Sequence, residues 1–145
     1  MILTTKGRYA VMAMIDLCES STENPNSKTV PLLSISQRQN ISLSYLEQIF
    51  SKLRKSGIVT SIKGPGGGYV LGKDPKSISV CDIIYATGES IKMTSCGNLS
   101  KSCKTGITKR KCRTHDLWNG LESKINEYLS SISIYDICKN ENYKF

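Results

Sequence analysis

Residues 41–57 have the pattern of one amphipathic helix, and the chain leaves it directly into a strand, a glycine-rich turn and a returning strand. Leu46, Ile49, Phe50 and Leu53 recur at helical spacing, Ser44 and Glu47 stand at capping-box spacing, and Gly57 is the stop. Ile58 to Lys63 then form a strand, Gly64-Pro65-Gly66-Gly67-Gly68 a tight turn, and Tyr69-Val70-Leu71 the return. The fold expected from this is mainly α with a small β-hairpin.

Upstream, Thr4 or Thr5 can cap a helix whose apolar positions Ala10, Val11, Met14, Leu17 and Cys18 run to about residue 20. A polar stretch from Ser21 to Thr29 follows, and Pro31 can open a short helix carrying Leu32, Leu33 and Ile35 that ends near Asn40. A hairpin straight after such a helix pair is the wing of a winged helix-turn-helix module. The expected organisation is a DNA-binding domain over 1–76, a short helix started by Ser79 and a ligand loop over 77–113, and a dimerisation helix with a short C-terminal helix over 114–145.

The buried stripe of the 41–57 helix leaves Ser44, Tyr45, Gln48, Ser51, Lys52 and Lys55 on its outer faces. Hydroxyl and amide groups near a helix start can reach base edges, and later lysines can meet phosphate oxygens, so Ser42, Ser44, Tyr45, Gln48 and Lys52 are candidate contacts to double-stranded DNA. From the wing, Lys63 adds a charge and Gly66 lets the backbone approach a phosphate or a minor groove. The formal charge of +8 is uneven: residues 1–76 hold ten Lys and Arg against five acids, and residues 92–113 hold seven bases and no acid. The first zone suits attraction to phosphates. The second either lowers thiol pKa values around the cysteines or adds phosphate contacts.

Three cysteines and the single histidine fall within twenty residues as Cys96-x6-Cys103-x8-Cys112-x2-His115. Thiolate and imidazole hold zinc or an iron–sulfur cluster, and four ligands satisfy either centre. The surrounding sequence is too polar for a core element, which favours ligation over burial. Cys18, Cys81 and Cys138 lie instead among apolar neighbours and read as packed side chains. No secretory leader and no membrane-length apolar run is evident, so a cytoplasmic location without membrane association is expected, where thiolates and metal are favoured over disulfides.

Beyond the loop, Thr114 can cap a long helix on which Leu117, Trp118, Leu121, Ile125, Tyr128, Leu129 and Ile132 recur along one side. The stripe exceeds one small core and is expected to pack against both its own domain and a second copy, giving a two-fold homodimer that reads paired half-sites. No nucleophile–base set or carboxylate pair suggests an enzyme, and the glycine turn lacks the Gly-Lys-Ser/Thr of a nucleotide loop.

The runs Leu3-Thr4-Thr5-Lys6-Gly7-Arg8-Tyr9-Ala10-Val11, Ile41 to Gln48, Gly64 to Tyr69, and Cys112-x2-His115-x2-Trp118 resemble the iron–sulfur cluster regulators of the Rrf family of winged-helix transcription regulators, over nearly the whole chain. The resemblance implies a homodimeric bacterial repressor or activator that binds a [2Fe-2S] cluster, supplied by the cluster-assembly machinery, and controls cluster-assembly genes. It places the ligands on Cys96, Cys103, Cys112 and His115, and recognition-helix roles on Ser44, Glu47 and Gln48, with Glu47 able to accept from a cytosine amino group. Two features depart from the family. The ligand intervals exceed its usual five-residue spacing, and the wing carries Lys63 where relatives often have arginine, a point charge in place of a fork. A zinc-stabilised or thiol-redox winged-helix regulator is the alternative.

Overall fold

A computed structural model describes residues 3–23, 29–94, 104–105 and 110–139. Helices α1 (Thr5–Glu23), α2 (Leu32–Gln39) and α3 (Leu43–Lys55) precede an antiparallel hairpin of β1 (Val59–Ile62) and β2 (Gly68–Leu71). A short 3-10 turn (Pro75–Ser77) leads to α4 (Val80–Ala86); then come a second small hairpin of β3 (Lys104–Thr105) and β4 (Arg110–Lys111), the long α5 (His115–Ser131) and α6 (Ile134–Cys138). The mainly helical winged-helix architecture expected from the sequence is the one observed.

The apolar periodicities account for the packing. Ala10, Ala13, Met14, Leu17 and Cys18 on α1 meet Ile35 of α2 and Leu46, Ile49, Phe50 and Leu53 of α3 in one buried cluster. Each large side chain so enclosed stabilises the fold by about 1.5–3 kcal/mol relative to leaving it exposed. Cys18 is part of this cluster, its thiol pushed up to about 12 by burial first and by the neighbouring Cys138 second. The expectation that Cys18, Cys81 and Cys138 are packed rather than ligating fits these positions, with Cys138 half-buried. A second cluster, Val80, Ile84, Ile91 and Ile132, joins α4 to the inner side of α5.

Local chemistry sets the boundaries. Asn40 closes α2 in the left-handed conformation at φ 53°, and Ile41 is buried, so the chain turns and enters α3 through Ser42. Here one expectation is corrected: the Ser44–Glu47 capping box does not form, because the helix starts at Leu43 and Ser44 already lies in its first turn. Pro31 is likewise the residue before α2 rather than its first helical position, and α1 runs to Glu23, beyond residue 20. Ser79 does start α4, with a complete capping box to Asp82, and Ser133 with Asp136 repeats the device at α6. An antiparallel bridge between Ser79 and Ser133 holds these two helix starts side by side, and α6 then packs back on α1.

Candidate nucleic-acid interface and metal centre

The helix-turn-helix and wing lie on one frame. Val30, just before α2, pairs with Tyr69 of β2 through reciprocal backbone hydrogen bonds of 2.9 Å, and the Tyr69 ring meets Phe50 of α3 edge-on at 4.9 Å. Thr29 Oγ1 donates to the Gly66 carbonyl at 2.5 Å, and Gly67 N–H donates to Gly64 O at 2.9 Å, closing the wing tip.

On α3, Ser42, Ser44, Glu47, Gln48 and Lys52 are exposed, as are Lys63 and Gly66 on the wing. Tyr45 differs: it is half-buried, its ring set edge-on to Tyr9 of α1 at 5.9 Å, so only part of it faces outward. Lys52 also has an internal partner, its Nζ donating to the Thr87 carbonyl at 2.9 Å. The charge of nearby Lys6 is the first cause holding the Lys52 ammonium below its usual pKa.

Behind this face, the Asp16 carboxylate of α1 is buried and takes Arg38 Nη2 at 2.6 Å, Arg38 Nε at 3.1 Å and Gln39 Nε2 at 2.7 Å. The sequence reading missed this anchor. An acid on the buried side of the α1 stripe was its only sequence trace.

Of the four candidate metal ligands, Cys112 and His115 are described; Cys96 and Cys103 lie outside the described residues. Cys112 and His115 stand at the entrance to α5, joined by the His115 N–H to the Cys112 carbonyl at 3.3 Å. The Cys112 Sγ is 3.3 Å from Thr114 Oγ1, so Thr114, the residue preceding α5, turns its hydroxyl to the thiol rather than to a helix N–H. The His115 imidazole is buried, and its Nδ1 has no hydrogen-bond partner among the described residues. Among the described residues no group of three or more His, Cys, Asp and Glu is assembled.

On α5, Ile125 and Leu129 are partly buried against the second cluster, and Ile132 is within it. Leu117, Trp118, Leu121 and Tyr128 are exposed.

Residues 3–140 match the Rrf2 family, described as an iron-dependent transcriptional regulator. The chain belongs to the Rrf2 family. It is 50% identical over 141 residues to the HTH-type transcriptional regulator IscR of Photorhabdus laumondii, covering 97% of this chain and 81% of that one. The IscR of Vibrio campbellii is 49% identical, with 97% and 79% covered. Among solved structures, the T. potens IscR superposes with TM-score 0.73 at 36% identity, over 97% of this chain and 88% of that one. CymR, the global cysteine regulator of B. subtilis, gives 0.77 at 31%, over 98% and 99%. As an Rrf2 member of the IscR type, the chain is a DNA-binding transcriptional regulator and not an enzyme. No helix among the described residues is long and apolar enough to cross a membrane.

Proposed function

We propose that this Rrf2 regulator is a homodimer that binds a [2Fe-2S] cluster through Cys96, Cys103, Cys112 and His115 and changes its choice of operator with cluster occupancy. The observation that carries the reading is the buried His115 Nδ1, which has no partner among the described residues, three residues beyond Cys112. A buried polar atom left unmet costs about 1–3 kcal/mol. A metal centre is what a cysteine–histidine set meets, so the residues present fit the group. When bound, the cluster supplies a charged centre tying the 96–112 loop to the start of α5.

This chain's own residues then divide the work. Ser42, Ser44, Glu47, Gln48 and Lys52 of α3, with Lys63 and Gly66 of the wing, meet double-stranded operator DNA; Leu117, Trp118, Leu121 and Tyr128 meet a second copy. The bacterial cytoplasm, cluster-assembly genes as targets and the assembly machinery as cluster source complete the reading. Zinc is the second reading, since it accepts the same four donors.

Anaerobic purification with visible absorbance and iron and sulfide analysis, followed by operator selection with loaded and unloaded protein, tests this function. Coloured protein with two irons and two sulfides per chain, and different selected sites for the two forms, is expected. Colourless, iron-free protein after reconstitution would overturn the cluster assignment, and identical sites would overturn the switch.

A further inference from the structure

Residues 87–93, between the end of α4 and the cysteine loop, form a strap fastened at both ends. Gly88 leaves α4 at φ +85°, a conformation L side chains rarely adopt, and turns the chain back toward the DNA-binding helices. The Glu89 carboxylate then lies over the first turn of α1. Thr4 Oγ1 donates to Glu89 Oε1, and a Cβ on Gly7 would fall 2.7 Å from Glu89 Oε2, so glycine at position 7 leaves the space the carboxylate occupies. The first turn of a helix exposes free N–H groups and positive potential, a setting that favours this charge. Further along, Ile91 is buried in the second cluster, and Met93 N–H donates to Glu122 Oε2 of α5 at 3.0 Å. Cys96 follows three residues later.

The near end of the strap touches the recognition helix. Lys52 Nζ is bound to Thr87 O and would lie 3.4 Å from a Cβ on Gly88. The charge of Lys6 holds the Lys52 pKa below its usual value, and the Glu89 charge opposes it only in part. With the strap docked, one ammonium of α3 is therefore committed to the Thr87 carbonyl, two residues before the Glu89 that fastens the strap to α1. Released from that carbonyl, the same ammonium on its four-carbon stem is free to meet a DNA phosphate.

We propose that Glu89 is a positioning residue that governs how fully Lys52 engages DNA phosphate, making the 87–93 strap the physical link between the cysteine loop and the DNA face. The link to cluster state rests on the function proposed above; the Glu89–Lys52 relation does not. Cluster binding at Cys96, three residues beyond Met93, would act on the strap that carries Glu89. Two discrete strap positions would bias DNA binding without either site touching the other.

The experiment measures DNA affinity of the full chain across a salt series, in the metal-free form, for the wild type, Glu89→Gln, Lys52→Met and the double variant. Each phosphate contact contributes about 0.9 to the slope of log affinity against log salt. Glu89→Gln is expected to steepen the slope by up to about one contact, and in the Lys52→Met background the same substitution is expected to leave the slope where Lys52→Met alone puts it. A merely structural Glu89 would lower the melting temperature and leave the slope unchanged; an unchanged slope in folded Glu89→Gln protein, or a steepened slope that survives Lys52→Met, overturns the proposal. Should Glu89→Gln fail to fold, Thr4→Val, which removes the carboxylate's hydroxyl partner, is read by the same two criteria. In reconstituted protein, Glu89→Gln should also shrink the difference in operator affinity between loaded and unloaded forms at undiminished iron and sulfide content. Absence of iron in the wild type would fail the cluster reading alone, since the salt series needs no metal.

Discussion

Asp16 of α1 and Arg38 of α2 form a forked contact, Nη2 to Oδ1 at 2.6 Å and Nε to Oδ2 at 3.1 Å, with the carboxylate buried and the guanidinium half in solvent. Burial alone would raise the Asp16 pKa, but the hydrogen bonds from Arg38 and Gln39, with the Arg38 charge and a weaker bond from Ser20, outweigh it and hold the carboxyl below its usual value. Its contribution is present above the unfolded carboxylate pKa and lost as pH falls through the lowered folded one. Arg38→Met leaves the buried acid short of partners and should destabilise by about 1–3 kcal/mol at neutral pH. In urea melts at falling pH, the gap between variant and wild type should narrow below the carboxylate range; a gap that stays constant would contradict this account.

Gly68 opens β2 where the wing meets the segment before α2. A Cβ there would sit 2.6 Å from Val30 O and 2.8 Å from Pro31 N, backbone atoms that cannot rotate aside. Gly68→Ala should cost about 1–3 kcal/mol by overpacking and pull the wing from its Val30–Tyr69 bridge. Melting temperature and DNA affinity should fall together, whereas Gly57→Ala, with no atom within 4 Å but φ +73°, should lower only the first.

What the sequence made legible was periodic. The stripes of α1 and α3, the Gly64–Gly68 turn and the Ser79 start of α4 each repeat or punctuate at a spacing that one helix or hairpin imposes. The entry to α3 was misplaced because Ser42 and Ser44 are both plausible caps, and burial of Ile41, a tertiary demand, decides between them. Asp16–Arg38 and Lys52–Thr87 join residues 22 and 35 positions apart, and such contacts leave no periodic trace. Three of the seven stripe positions, Ile125 and Leu129 with Ile132 beyond, turn to the chain's own core, a division that one-dimensional spacing does not contain. Of the metal set, spacing showed the candidates, and the geometry of only Cys112 and His115 falls among the described residues.

Glu47 is exposed in the second turn of α3 and presents only acceptors. An acceptor favours a base edge with an amino donor and penalises sites without one. Glu47→Ala should therefore reduce discrimination at one base position, by about 1–3 kcal/mol between preferred and disfavoured bases. Selection on a randomised operator should show one flattened position; uniform weakening across all positions would assign Glu47 to general affinity instead.

Leu117, Leu121 and Tyr128 lie within a narrow arc of α5 and are 62%, 40% and 49% exposed, with Trp118 at 38% beside them. If this arc is the contact between two copies, Leu121→Lys places an ammonium in each half of a two-fold interface. Sedimentation equilibrium should then show dissociation at concentrations where the wild type is dimeric, while helix content and melting of the monomer are retained, because Leu121 is outside both buried clusters. A wild type that is monomeric, or a Leu121→Lys variant that remains dimeric, would remove this face as the interface.

His115, proposed as the fourth ligand, offers the sharpest test of the cluster reading. Imidazole is a neutral donor and thiolate an anionic one, so a cluster with one histidine carries less negative charge and is reduced more easily than one with four cysteines. The buried ring position at the start of α5 leaves room for a smaller thiol. His115→Cys should keep iron and sulfide content but shift the reduction potential downward, on the order of 100 mV. His115→Ala should lose cluster or hold it only weakly, because it leaves three protein ligands. Visible spectra with electrochemical titration separate the two: unchanged potential in cluster-loaded His115→Cys protein would mean that the histidine is buried beside the centre without ligating it.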